Sequence, residues 1–274
     1  MGIKDLFNRK KELDTTSMEK GIYMEKGIYL VTVAKPKSVD TEQFNTIRTN
    51  ITYSSADQDY KSIMITSSTA SEGKSTISAN VAASFAKQGL KVLLVDADLR
   101  RPTIQATFGI ADSRGLTNFL TDRNFNVNDV LYGTTVNNLY VMPSGPVPPN
   151  PSELIGSKRM ETLQNALENN FDLVIYDAPP VLSVTDAQLI AARVDGTILV
   201  VRQDIANKNA VHDAVDALNH VGGKIIGTVL NDVKVEHSGY YGYGYGYGYG
   251  YGYGNDENES KGHSHRKHHK KSRH

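Results

Sequence analysis

The chain has 274 residues, 30 Lys/Arg against 30 Asp/Glu, and no cysteine. That length suits one α/β domain of about 200 residues plus tails, able to bury roughly 70% of its unfolded surface without a metal or disulfide staple. The missing cysteines exclude disulfides and thiolate-bound zinc and fit a cytoplasmic setting, no apolar run approaches the ~20 residues of a membrane helix, and the mildly acidic body argues against nucleic acid as a main ligand.

Residues 1–35 read as a polar N-terminal arm without the apolar core of a signal peptide. The arm contains a direct duplication, Met-Glu-Lys-Gly-Ile-Tyr at Met18–Tyr23 and again at Met24–Tyr29. Two copies are too few for a solenoid. Residues 36–237 then alternate short apolar runs with helical stretches, the pattern of a mostly parallel α/β sheet with helices on both faces. Expected strands are Ser62–Thr66, Val92–Asp96, Leu139–Met142, Leu173–Asp177, Thr197–Val201 and Ile225–Leu230; expected helices are Thr41–Thr52, Lys74–Gln88, Ser152–Glu168, Asp186–Val194 and Asn209–His220. Gly89 and Gly222-Gly223 stand where helices should stop. Crossovers should be right-handed, gathering ligands at the carboxyl ends of the strands.

The first expected strand runs into Ser68-Thr-Ala-Ser71-Glu72-Gly73-Lys74-Ser75-Thr76, a phosphate-binding loop that opens a helix. Gly73 lets the backbone approach phosphates, and the N–H groups of Ser71, Glu72 and Thr76 with the helix N-terminus supply positive potential. Lys74 reaches the β/γ-phosphates of ATP, and the Ser75 hydroxyl ligates Mg²⁺. Ser68 replaces the usual first glycine. Two strands end on carboxylates, Val92–Asp96 followed by Asp98, and Leu173–Asp177. Beside a phosphate loop, such carboxylates face the metal.

After about His237 the composition changes. Residues 238–254 hold eight tyrosines, Tyr240, Tyr241, Tyr243, Tyr245, Tyr247, Tyr249, Tyr251 and Tyr253, most alternating with glycine. Residues 255–274 are acidic and then basic, with six Lys/Arg and five His from Lys261 onward. Both segments lack the aliphatic surface to build a core and are expected to be disordered. Phenols are phosphoryl acceptors, so a nucleotide site and a string of phenols on one chain point to a kinase that modifies its own tail.

These residues resemble the bacterial tyrosine kinase family that controls capsule and exopolysaccharide synthesis. The resemblance rests on Gly73-Lys74-Ser75, Asp96-x-Asp98-x-Arg100, Asp177-Ala178-Pro179, Pro143–Leu154, Thr185-Asp186 and the tyrosine cluster, and covers about Pro36 to Tyr253. It implies a P-loop NTPase-like fold of the Gram-positive split type, cytoplasmic and recruited to the inner face of the membrane by a transmembrane activator that lends a cytosolic segment. A tyrosine phosphatase and the polysaccharide-synthesis machinery are further implied partners. Asp96 is implied as catalytic base, with Lys74 on the phosphates, Ser75, Asp98 and Asp177 around Mg²⁺, Arg100 near the phosphates and Asn231 near adenine. The family's Glu-x-x-Arg-x-x-Arg helix docks subunits into a ring. Here Glu42 and Arg48 are present but Asn45 replaces the first arginine, which implies a weaker or differently arranged homo-oligomer.

Two other readings remain open on the residues alone. One is a partition- or division-site-like ATPase switch, which uses a lysine where Thr69 stands; the other is a scaffold that uses ATP only for assembly.

Overall fold

Ile63 and Ile65 face one side of the first strand and Met64 the other, and all three are fully buried. A strand with no solvent face must lie inside a sheet covered on both sides. The computed structural model describes residues 27–55 and 59–234 and shows that arrangement. Strands β1 (Ser62–Ser67), β2 (Val92–Asp96), β3 (Tyr132–Gly133), β4 (Leu139–Met142), β5 (Leu173–Asp177), β6 (Gly196–Arg202) and β7 (Ile225–Asn231) form one sheet in the order β3-β4-β2-β5-β1-β6-β7. Every neighbouring pair is parallel except β3 with β4. Register puts Asp96 directly beside Asp177 and Ile65 beside Asp177, so β2, β5 and β1 end together.

The helices are α1 (Val31–Ala34), α2 (Val39–Ser54), α3 (Lys74–Lys87), α4 (Ile104–Thr107), α5 (Leu116–Thr121), α6 (Pro151–Gly156), α7 (Lys158–Glu168), α8 (Asp186–Ala191) and α9 (Lys208–His220). One apolar cluster joins Ile63, Ile65, Leu94 and Ile175 to α2 and α3; the other joins Met64, Leu93, Val174 and Tyr176 to α7, α8 and α9. Each strand therefore supplies both cores by its period of two.

Helix ends follow their chemistry. Ser38 starts α2 by accepting the Thr41 N–H at 3.2 Å. Past the last turn of α9, Gly222 takes φ +73° and the Gly223 N–H bonds the Leu218 carbonyl at 2.9 Å, a left-handed stop that glycine adopts without strain.

The structure departs from the expected elements in three places. The single helix expected over Ser152–Glu168 is two, because Ser157 is extended and its side chain accepts the Met160 N–H to start α7. A serine that can cap competes with helix continuation. The short α4 and α5 and the two-residue β3 carry too few residues to show a period. Within the arm, α1 packs on α2 and α3, with Val31 and Thr32 buried and the Thr32 N–H and hydroxyl both on Asn80 Oδ1 at 3.1 Å. Of the duplicated hexapeptide, only Gly27, Ile28 and Tyr29 of the second copy fall among the described residues; Ile28 N–H bonds Thr107 Oγ1 at 3.1 Å.

Candidate active site

β1 delivers the chain at Ser67 into the phosphate loop, and α3 begins at Lys74. Two residues of the loop take positive φ, Ser71 at +67° and Gly73 at +93°. Gly73 suits this place by its conformation, and a side chain there would also make the Asn231 amide shift. Its φ disfavours any side chain, and a Cβ there would meet Asn231 Nδ2 at 2.2 Å. The Glu72 side chain is fully buried beneath the loop, where its Oε1 accepts from Ser68 Oγ at 2.5 Å, Thr69 N at 2.6 Å and Thr69 Oγ1 at 2.9 Å. Thr76, one residue past Ser75, is exposed on the first turn.

The Lys74 amine lies 2.9 Å from Asp98 Oδ2, 3.8 Å from Asp177 Oδ1 and 3.2 Å from Ser75 Oγ. Three of the residues expected at the phosphate end, Ser75, Asp98 and Asp177, therefore converge on the ammonium of the fourth, Lys74. Asp98 is held from behind by the N–H groups of Arg100 at 3.3 Å and Arg101 at 3.0 Å. Asp177 Oδ1 also accepts from Ser78 Oγ at 3.1 Å. Asp96 Oδ2 accepts the N–H groups of Thr103 and Ile104, each at 3.0 Å. Asp96 Oδ1 and Asp177 Oδ2 are buried without a hydrogen-bond partner. A carboxylate oxygen with no donor is costly to bury, so two such atoms on residues paired across β2 and β5 mark a place prepared for a proton or a cation.

The electrostatics follow from that burial. Desolvation, reinforced by the Asp177 charge, pushes the Asp96 carboxyl up to about 8, against the pull of the two backbone N–H groups and Lys74. Burial also raises Asp177, opposed chiefly by Lys74. Burial alone would lower Lys74, but Asp177 and Asp98 together raise it, so the amine stays cationic.

A magnesium ion fits this donor set. Among the described residues no three His, Cys, Asp or Glu side chains form a ready-made metal cage. Mg²⁺ does not ask for one, since it commonly takes one or two protein ligands plus phosphate oxygens and water. A hydroxyl at Ser75 beside Asp98 and Asp177, with unpartnered carboxylate oxygens at hand, suits that mode.

The other expected site residues lie apart from this cluster or support it. Arg100 turns its guanidinium to buried Asp186, with Nε to Oδ2 at 3.1 Å, and to Ser152 Oγ at 3.3 Å. Asn231 donates its amide to the Glu72 carbonyl at 2.9 Å. On α2, Asn45 links the two expected oligomer residues: its Nδ2 donates to Glu42 Oε1 at 3.3 Å, and its Oδ1 accepts from Arg48 Nη1 at 3.0 Å. Arg48 also donates to Ser84 Oγ of α3 at 2.8 Å. The eight tail tyrosines fall outside the described residues. Sequence reasoning missed Ser78, Arg202 and the partners of Arg100. Ser78 was findable, because it stands one turn beyond Lys74 on the same helix face.

Comparison with known proteins agrees with this geometry. A family model described as an AAA domain matches residues 60–224. The chain is 42% identical over 226 residues to the tyrosine-protein kinase YwqD of Bacillus subtilis (strain 168), covering 81% of this chain and 94% of that one. It is 40% identical over 193 residues to the tyrosine-protein kinase CpsD of Streptococcus agalactiae, covering 70% and 83%. Among solved structures, the kinase domain of the Escherichia coli tyrosine kinase ETK superposes with a TM-score of 0.74 at 31% identity, covering 86% and 93%. Among the described residues no helix is long and apolar enough to cross a membrane. Identity at this level along most of the chain makes this protein a member of the bacterial tyrosine-protein kinase family.

Proposed function

We propose that the chain transfers the γ-phosphoryl group of Mg·ATP to tyrosines of its own C-terminal cluster, Tyr240 to Tyr253, mainly between subunits. The observation that carries the reading is the convergence of Lys74 on Asp98 and Asp177 beside the unpartnered Oδ1 of Asp96. In the transfer, a phenol oxygen bonds phosphorus as the bond from phosphorus to the ADP oxygen breaks, and the phenol proton passes to Asp96. A phenol with its ordinary value near 10 arrives neutral, so a carboxylate must take its proton, and bound Mg²⁺ would draw off the proton that burial otherwise leaves on Asp96 at neutral pH. Asp96 Oδ2 is already committed to two N–H groups, which orients Oδ1 for the task.

Lys74 is assigned to the β/γ-phosphates, together with the N–H groups of Ser71 to Thr76. Ser75, Asp98 and Asp177 are assigned to Mg²⁺, which when bound neutralises phosphate charge. Arg100 is assigned near the phosphates and Asn231 near adenine, with the Arg100 guanidinium here paired to Asp186. The Glu42–Asn45–Arg48 face of α2 is assigned to subunit contact. Recruitment to the membrane by a transmembrane activator, removal of the phosphates by a tyrosine phosphatase, and regulation of capsule or exopolysaccharide synthesis complete the reading.

Its test is a mixing experiment. Wild-type chain cut after Val235 supplies an active site without acceptors, and full-length Lys74→Met supplies acceptors without an active site. Incubated together with Mg·ATP and an activator segment, they should phosphorylate the Lys74→Met tail. No gain on the Lys74→Met tail, with intact wild-type chain modified in a parallel incubation, would restrict transfer to one subunit.

A further inference from the structure

The backbone at Ser71 raises a question that the phosphate-binding role does not answer. Its φ of +67° belongs to the left-handed region, which a residue with a Cβ enters only when something holds it there. What holds it comes from the strand that neighbours β1. Arg202, the last residue of β6, donates from Nη1 to the Ser71 carbonyl at 3.2 Å and from its backbone N–H to Glu72 Oε2 at 3.2 Å. Its Nε and Nη2 fork onto Asp232 Oδ2 at 3.1 and 2.8 Å. Asn231, opposite Arg202 in the β6–β7 register, donates to the Glu72 carbonyl and lies against Gly73.

The exit from β7 is fastened to the same end of β6. Lys234 donates its N–H to Gln203 Oε1 at 2.8 Å and its ammonium to Asp204 Oδ2 at 2.7 Å. Ser71, Glu72 and Gly73 are thus gripped by two residues at the end of β7, one directly and one through Arg202. The chain leaving β7 leads, a few residues later, to the tyrosine cluster.

We propose that Arg202 is a positioning residue that sets the phosphate loop by holding Ser71 in its left-handed conformation, and that Asp232 makes this hold depend on how the chain leaves β7. The inference deepens the nucleotide-binding reading and rests on it. Its consequence is a mechanical link: a change at the root of the acceptor tail reaches the loop through one guanidinium, without crossing the carboxylate cluster.

The test is a mutant cycle on nucleotide affinity, read with a fluorescent ADP analogue and Mg²⁺ on the full chain. Arg202→Ala should weaken binding about tenfold, the size of the left-handed penalty it leaves uncompensated. Glycine enters that region without penalty, so in the Ser71→Gly background the same Arg202→Ala change should cost under threefold. A purely structural role would give the same penalty in both backgrounds, and that result would overturn the proposal. Asp232→Asn alters a side chain that is 62% exposed, so the fold survives it. Affinity should drop about threefold, again less in the Ser71→Gly background, and unchanged affinity would refute the link to β7. Lys74→Met separates the two levels. If it leaves affinity unaltered, the nucleotide site itself is misassigned and the proposal falls with it; if it abolishes binding while Arg202→Ala does not weaken it, only the clamp fails.

Discussion

Replacing Asp96 by asparagine should stabilise the folded domain at neutral pH while removing its proton acceptor. In the native protein this carboxyl is fully buried and pushed up to about 8, whereas in the unfolded chain it ionises near the ordinary value. Between those two values the native state holds a proton that the unfolded state has released, so stability falls as pH rises. The slope is up to about 1.4 kcal/mol per pH unit for one such group. From pH 5 to 7 the wild type therefore loses about 2–3 kcal/mol to this residue, or about 5–10 °C in Tm for a domain of this size. Asparagine keeps the acceptor for the Thr103 and Ile104 N–H groups and puts an uncharged amide where Oδ1 has no partner. Asp96→Asn should gain on the wild type by about 1.4 kcal/mol for each pH unit between about 4 and 8, so its advantage at pH 7 exceeds that at pH 5 by about 2–3 kcal/mol. Thermal melts in EDTA without nucleotide, at half-unit pH steps, measure the difference directly. Asp96→Asn less stable than wild type by a constant amount at every pH would refute the burial argument.

Further outcomes follow from other contacts. Gly73→Ala forces a Cβ into Asn231 at a φ of +93°, and should cost about 2–3 kcal/mol of stability and abolish measurable nucleotide binding in a fluorescence titration. Arg100→Ala leaves buried Asp186 with its Ser152 contact but no cation, a loss of about 1–3 kcal/mol in a urea melt; Arg100→Lys should recover only part of it, since a lysine cannot fork. Asn45→Arg displaces the amide that joins Glu42, Arg48 and Ser84, and should destabilise the monomer by about 1 kcal/mol while shifting native mass spectra toward larger assemblies. An unchanged distribution of assemblies would remove α2 from the subunit contact.

Much of the fold was legible because its signals are local. Val92–Asp96 and Leu173–Asp177 are continuous apolar runs ending on a carboxylate, and both strands appear at those bounds. The phosphate loop announces itself by residue type and by its place between strand and helix. Short elements escaped: α4 and α5 hold too few turns to display a helical period, and their positions are set by what they pack against. The break at Ser157 needed a choice between continuing a helix and capping a new one, which tertiary packing decides. In the site, Lys74, Ser75, Asp98 and Asp177 were readable from motif spacing. Ser71 and Glu72 were readable only as loop positions. That Glu72 turns its carboxylate under the loop, and that Arg202 and Asn231 hold the loop from β6 and β7, depends on strand order, and one sequence does not display strand order.

The most direct measurement is intact-mass spectrometry of the full chain after incubation with Mg·ATP, alone and with the cytosolic segment of a candidate activator. Tyrosine autokinase activity predicts stepwise gains of one phosphate mass, confined to the peptide that spans Tyr240 to Tyr253 and absent in Lys74→Met. ATP turnover without any gain in mass, with the activator segment shown to bind, would contradict it and make the protein a nucleotide-driven switch.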